Sequence, residues 1–200
     1  MSLFQFNAER NLIPEGGIVN YHGKIMSDSE AQSQYDSLIK NVLWKNDEAM
    51  MFGKHIITKR KVAWYADTAY EYTYSKITKN ALPWIEDLKT LKSMVEKITR
   101  STYNSCLLNL YHDGSEGMAY HSDDEKTLGD ESTIASLSFG AERKFLFKHK
   151  RTKETVGLFL EAGSLLVMRG ATQKNWLHRL PPTKKINSPR INLTFRTIVM

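Results

Sequence analysis

From residue 104 to the C-terminus the apolar side chains recur at every second position, in short segments at 106–111, 134–139, 143–149, 156–160, 164–168 and 190–198. Gly, Asp, Pro or charged turns separate them, and the pattern predicts strands. Upstream the period is helical. Ser27 followed by Glu30 has the form of a capping box. Behind it Tyr35, Leu38, Ile39, Val42 and Leu43 keep the spacing of an amphipathic helix. A second helix is expected to start near Pro83, a residue suited to a first turn, with Leu88, Leu91, Val95 and Ile98 as its stripe. Both stripes read as core contacts. Many short strands after two helices predict an α+β, mainly β architecture: a sandwich or jelly roll with N-terminal helices packed on one sheet. The open mouth of such a roll is where residues from different strands converge.

The 200 residues fit one domain with a full core, and no repeat, low-complexity stretch or linker divides them. Residues 1 to about 24 read as loosely structured, with a turn at Pro14-Glu15-Gly16-Gly17. No apolar run approaches the roughly 18 residues of a membrane span, and Met1 to Glu9 lacks the basic and apolar regions of a secretory signal. The single cysteine, Cys106, excludes an internal disulfide and suits a reducing, intracellular compartment. It lies in an apolar run and reads as a buried small side chain.

Basic residues outnumber acidic ones by 28 to 22, a net charge of +6. Arg143, Lys144, Lys148, Lys150, Arg151 and Lys153 crowd together, and Lys54, Lys59, Arg60 and Lys61 form a second group. Asp123, Asp124, Glu125, Asp130 and Glu131 gather elsewhere. Signs separated in this way suit a surface that tracks phosphates. Charge alone leaves solvated, lysine-rich loops as the alternative.

His121-Ser122-Asp123 and His178 offer two imidazoles and one carboxylate. That set can hold one face of an octahedral iron(II) and leave the other open. In an extended segment His121 and Asp123 fall on one face. His178 comes 55 positions after Asp123 and must arrive from a distant strand or loop. Among six histidines the pattern alone is weak; His22, His55, His112 and His149 read as surface or locally hydrogen-bonded. Arg190, Asn192, Thr194 and Arg196 alternate with Ile191, Leu193 and Phe195, so one strand face is polar and the other apolar. The apolar face is expected to pack into the sandwich. Two arginines on an inward surface are costly unless they hold an anion; on an exposed face they need no explanation, and the strand pattern does not choose.

Asn109-Leu110-Tyr111, His121-Ser122-Asp123-Asp124-Glu125, Ser136-Leu137-Ser138-Phe139-Gly140, His178 and Arg190-Ile191-Asn192-Leu193-Thr194-Phe195-Arg196 stand in a telling order. In order and spacing they resemble the AlkB family of iron(II)- and 2-oxoglutarate-dependent dioxygenases, which repair alkylated nucleic-acid bases. The likeness reaches upstream through Tyr72-Thr73-Tyr74-Ser75 and covers about residues 45 to 199. It implies a double-stranded β-helix core. The chain is expected to be one catalytic domain, with helices and a nucleotide-recognition lid at 26–100 and the jelly roll at 101–200, preceded by an arm at 1–25 that carries no part of the resemblance. The resemblance implies that His121, Asp123 and His178 bind iron and that Arg190 holds the distal carboxylate of 2-oxoglutarate. Asn109, Tyr111, Asn192, Thr194 and Arg196 would complete the cosubstrate pocket, with dioxygen as co-reactant.

The same resemblance implies demethylation of bases such as 1-methyladenine and 3-methylcytosine in DNA, with release of formaldehyde and succinate, on a base taken out of the stack. It places Tyr72, Thr73, Tyr74 and Asp124 around that base, where a ring stacks and a carboxylate suits a cationic lesion. Tyr72 also reads as an aromatic packed in a strand, and Asp124 as an exposed turn acid. Met50-Met51-Phe52-Gly53-Lys54 resembles the hairpin that duplex-acting members push into the stack. Phe52 would be the wedge, Gly53 would permit the turn, and Lys54 would follow them onto the DNA; ordinary core residues are the alternative. Gly170-Ala171-Thr172-Gln173 and Trp64-Tyr65 look as much like the branch that prefers single strands. Duplex DNA is the favoured partner, met by a monomer away from any membrane, in a bacterial cytoplasm or a eukaryotic nucleus. Other readings are an RNA or tRNA demethylase of the same chemistry, a protein hydroxylase, and a non-catalytic nucleic-acid-binding jelly roll.

Overall fold

A computed structural model of the chain describes residues 8–51, 54–74, 77–129 and 131–199. The side chains of residues 49–51, 54, 72–74, 77–79 and 126 lie outside that description. In chain order the elements are β1 (Ile18–Lys24), α1 (Asp28–Asn41), β2 (Lys45–Met51), β3 (Lys54–Ala66), β4 (Glu71–Tyr74), β5 (Ile77–Asn80), β6 (Leu82–Pro83) and α2 (Glu86–Thr99). They continue with β7 (Ser105–Tyr111), β8 (Met118–His121), β9 (Ile134–Gly140), β10 (Arg143–His149), β11 (Thr155–Leu160), β12 (Ser164–Arg169), α3 (Thr172–Asn175), β13 (Trp176–Leu180) and β14 (Arg190–Arg196).

Among the described residues the larger sheet runs β1-β12-β9-β14-β7-β3-β2, with β6 beside β3. The smaller sheet runs β11-β10-β13-β8, and β4 pairs β5 apart from both. Every pairing is antiparallel except the short β3–β6 contact. Two antiparallel sheets with an interleaved strand order form the expected jelly roll.

Alternation along the central strands divides two cores. Ile191, Leu193 and Phe195 of β14, Ala135, Leu137 and Phe139 of β9, and Leu165 and Val167 of β12 meet Leu38 of α1 and Leu88, Leu91 and Val95 of α2. Each of these side chains except the small Ala135 contributes roughly 1.5–3 kcal/mol by leaving water. Cys106 belongs to this core, and burial pushes its thiol far above the usual range. The second core lies between the sheets, where Ile134, Leu166 and Met168 meet Phe147, Leu160 and Trp176. The apolar face of β14 therefore packs under the helices and not into the sandwich. Its polar face is the inward one, which reverses the expectation from the strand pattern alone.

The helices keep their expected places with shifted details. The capping box is formed: Glu30 N–H donates to Ser27 Oγ at 3.3 Å, and Ser27 N–H donates to Glu30 Oε2 at 2.8 Å. Leu38 and Val42 are buried, but Ile39 and Leu43 are exposed, because α1 ends at Asn41 and only its inner edge touches the sheet. Pro83 does not open α2. It sits in extended β6, and the helix starts at Glu86 behind Ile85. Residues 18–24, expected to be loose, form an edge strand on β12. Asn11 secures the preceding turn by accepting the Val19 N–H at 2.8 Å, and Leu12 N–H donates to Val19 O across it. Gly17 is required by close approach: a Cβ there would lie 2.4 Å from Thr172 Oγ1. β2, β3, β8 and β13 also fall outside the strands expected from the sequence. No described helix is long and apolar enough to cross a membrane.

Candidate active site

The smaller sheet brings the two histidines together. His121 ends β8 directly opposite His178 on β13, and their ring centroids are 4.2 Å apart. The His178 ring stacks on Phe145 at 5.6 Å and meets Phe147 edge-on at 6.3 Å. Asp123 lies two residues beyond β8, so strand alternation does not hold it. Instead its backbone N–H donates to Gln173 Oε1 at 3.0 Å. Gln173 belongs to α3, the single turn that leads straight into β13, so one segment supplies both His178 and the tether for Asp123.

One donor atom from each of His121, Asp123 and His178 lies within 4.8 Å of the others. Their protonation suits metal ligation. His121 Nδ1 is 2.9 Å from Ala119 O, a contact in which Nδ1 is the N–H donor, so Nε2 is the ring nitrogen that faces the cluster, 3.9 Å from Asp123 Oδ1. Burial pushes the His178 imidazole down to about 4, against the pull of Asp123, so it is neutral at physiological pH. Burial would raise the Asp123 carboxyl, yet the Arg196 guanidinium and both imidazoles outweigh it and hold it below its usual range. Two imidazoles facing each other on adjoining strands, with one carboxylate from the loop just beyond β8, fit a ferrous ion.

Beside this cluster, the inward face of β14 and its neighbours forms a polar band. Asn192 lies opposite Asn109 on β7 and Ser138 on β9, and Thr194 lies opposite Ser136. Arg190, only 2% exposed, donates through Nη2 to Ser138 Oγ at 2.9 Å and to Asn192 Oδ1 at 2.8 Å. Its guanidinium carbon lies 5.8 Å from the centre of the buried Tyr111 ring. Ser136 Oγ donates to Asn192 Oδ1, and Asn192 Nδ2 to Thr194 Oγ1, both at 2.9 Å. Burial pushes the Arg190 guanidinium down to about 10, still charged at pH 7. Arg196 donates to Asp123 Oδ2 at 2.7 Å, which joins the polar band to the histidine pair.

The sequence reading missed three contributors. Gln173 carried no role, and Ser136 and Ser138 were quoted only as part of a motif. The fourth surprise is Arg143, assigned from its charged neighbours to the basic surface. It is 1% exposed and donates to the carbonyls of Asp113, Gly114, Glu116 and Pro181 at 2.8–3.2 Å. As the first residue of β10 it shares the inward parity of Phe145 and Phe147. Those bonds lock two loops so tightly that a Cβ at Gly114 would lie 2.4 Å from Thr183 O.

In the rest of that basic cluster Lys144, Arg151 and Lys153 are exposed, while Lys148 lies 5.5 Å from the Tyr120 ring, which Arg179 of β13 also approaches at 5.0 Å. In the second group Arg60 pairs with Asp47. Asp124 is exposed and lies 3.3 Å from Lys150. The other histidines are locally bonded at His55, His112 and His149, while the half-buried His22 has no partner on Nε2 among the described residues. Tyr72, Thr73 and Tyr74 form β4 in register with β5, their side chains outside the described residues, as is the Lys54 side chain. Phe52 and Gly53 also lie outside the described residues; the flanking Met51 and Lys54 face each other across β2 and β3.

Residues 17–196 match the 2OG-Fe(II) oxygenase superfamily. A Bos taurus relative, "DNA oxidative demethylase ALKBH2", is 40% identical over 186 residues, which cover 88% of this chain and 67% of that one. A Mus musculus relative, "Alpha-ketoglutarate-dependent dioxygenase alkB homolog 3", is 41% identical over 179 residues, 84% of this chain and 62% of that one. The chain thus spans about two thirds of the length of these curated relatives. A solved structure entitled "The structure of OsALKBH1" shares the fold at a TM-score of 0.64 and 14% identity, covering 92% of this chain and 98% of that one.

Proposed function

Because the chain belongs to the 2OG-Fe(II) oxygenase superfamily and, within it, to the AlkB family, we propose that it demethylates bases of the 1-methyladenine and 3-methylcytosine type in DNA. One observation carries the reading. Arg190 is buried and held only by hydroxyl and amide oxygens, and among the described residues no carboxylate pairs with it. A buried cation without a counter-ion is costly, and a dicarboxylate reaching it along the polar band supplies the missing charge.

His121, Asp123 and His178 would hold iron(II). Together with 2-oxoglutarate and dioxygen it supplies the oxidation that hydroxylates an N-methyl carbon, giving formaldehyde, succinate and carbon dioxide. The protein's own residues bind and orient. Arg190 grips the distal carboxylate by a charge-assisted pair, and Asn109, Tyr111, Asn192 and Thr194 line its path. Arg196 fixes the Asp123 carboxylate, while Phe145 and Phe147 keep water from His178. Asp124 and Tyr72, with Thr73 and Tyr74, would meet the flipped base. Lys148 and Arg179 would face phosphates. Phe52 and Gly53, between two residues that face each other across paired strands, would enter the duplex, with Lys54 beside them. We read the chain as one domain, with 26–100 supplying helices and lid and 101–200 the catalytic core; within 1–25, expected as an arm, Ile18–Lys24 belongs to the larger sheet.

Adding iron(II) and 2-oxoglutarate under nitrogen should give the visible charge-transfer band of the chelate. Admitting air with a methylated duplex should then release formaldehyde. A protein that gives neither signal is not this enzyme.

A further inference from the structure

Lys150 occupies the acid that follows the candidate metal carboxylate. Its ammonium lies 3.3 Å from Asp124 Oδ2 and donates to the Gln173 carbonyl at 2.9 Å. Its backbone N–H donates separately to Asn175 O at 2.7 Å. That second bond already ties the end of β10 to α3, so the ammonium is not needed as a staple there. Gln173 is also the residue whose side chain fixes the Asp123 N–H. The pair therefore stands at the rim of the histidine–aspartate cluster, the Lys150 side chain 32% exposed and that of Asp124 59%. Among the described residues Asp124 has no other cation and Lys150 no other carboxylate within ion-pair distance.

We propose that Lys150 is a specificity-determining residue that tempers the preference for charged lesions: it neutralises Asp124 while no substrate is bound, so a base carrying its own positive charge must displace an ammonium that a neutral base leaves in place. This rests on the reading that Asp124 meets the flipped base. Alkylation at N1 of adenine or N3 of cytosine leaves the ring cationic, so such a base can replace an ammonium against a carboxylate. A neutral base cannot, and it finds Asp124 still paired. Lysine suits the exchange because its charge rides on a flexible stem and can swing toward a phosphate once released. An ion pair this open to water is weak, which keeps the exchange reversible and bounds its effect at about three- to five-fold.

The test uses two lesions of equal size that differ in charge, cationic 3-methylcytosine and neutral 3-methylthymine, in one oligonucleotide sequence. Binding is measured by fluorescence anisotropy under nitrogen with iron(II) and 2-oxoglutarate present. Lys150→Met should raise the affinity ratio of cationic over neutral lesion by about three- to five-fold. Lys150→Arg, which keeps the charge, should stay near the wild-type ratio, and Asp124→Asn should fall below it. If Lys150→Met weakens both lesions equally, the ammonium only contacts phosphate; if it changes neither, the pair is inert. Either result overturns the proposal. Formaldehyde release from 3-methylcytosine by the wild type in air is the separate check on the demethylase reading. Its absence sinks that reading whatever the binding ratios show.

Discussion

Arg196 donates to Asp123 Oδ2 at 2.7 Å, leaving Oδ1 turned toward His121 Nε2 at 3.9 Å. One carboxylate oxygen is thus committed to a guanidinium, and a single oxygen remains for a metal. With the Gln173 bond to its backbone, Asp123 is held from two sides. Arg196→Met should release the carboxylate and weaken iron(II) binding about 10- to 100-fold. An iron titration followed by the chelate band reads this directly; unchanged affinity would separate Arg196 from the metal site.

Arg190→Met keeps an unbranched, largely apolar stem and removes the charge. The KM for 2-oxoglutarate should rise about 10- to 100-fold, the size of a lost charge-assisted pair. Without cosubstrate the variant should melt no lower than the wild type, because an uncompensated buried cation has gone. The thermal stabilisation given by added 2-oxoglutarate should disappear with it. A variant whose melting point still climbs with the keto-acid would place the anchor elsewhere.

Phe52→Ala should cut activity on methylated duplex about tenfold or more and leave single-stranded substrate nearly untouched, since only the duplex requires a wedge. The comparison needs the same lesion in both forms. Equal losses on both would make Phe52 an ordinary apolar residue of the strand pair.

His22 of β1 titrates outside the active site. Burial and then the Arg169 guanidinium hold its imidazole below the ordinary value of 6.5. The unfolded chain therefore binds the proton more readily as pH falls through 6.5, and this group's contribution to stability, complete above that value, is lost toward acid. Urea midpoints measured between pH 7 and 5 should fall less steeply in His22→Gln than in the wild type. Identical slopes would exclude it.

The metal side was readable through the family resemblance, because the triad alone is a weak pattern among six histidines. Two histidines and an aspartate with an alternating Arg-x-Asn-x-Thr-x-Arg strand constrain one another, and the chain does converge them. The reach of a single strand pattern was shorter. Alternation in β14 gave two faces but not which was inward, since that depends on α1 and α2 covering the apolar side. Arg143 was illegible for a related reason: its neighbours Lys144 and Lys148 look outward, and only the parity of β10 turns it in. Gln173 acts across 50 residues on a backbone amide, a contact that leaves no periodic trace. β3 hid its alternation behind Lys59, Arg60 and Lys61, and β1 was masked by the glycines that let its turn press against Thr172.

β1 is the terminal strand on its side of the larger sheet, and it covers β12 from Ser164 to Arg169. Removing it would bare a row of amides and carbonyls able to template a neighbouring molecule. The register slip between Tyr21 and Gly23 twists the outermost edge and spoils it for further pairing. A molecule trimmed to residue 25 should for that reason scatter light and sediment as growing polymers, its aggregation propensity set by seven residues remote from any chemistry.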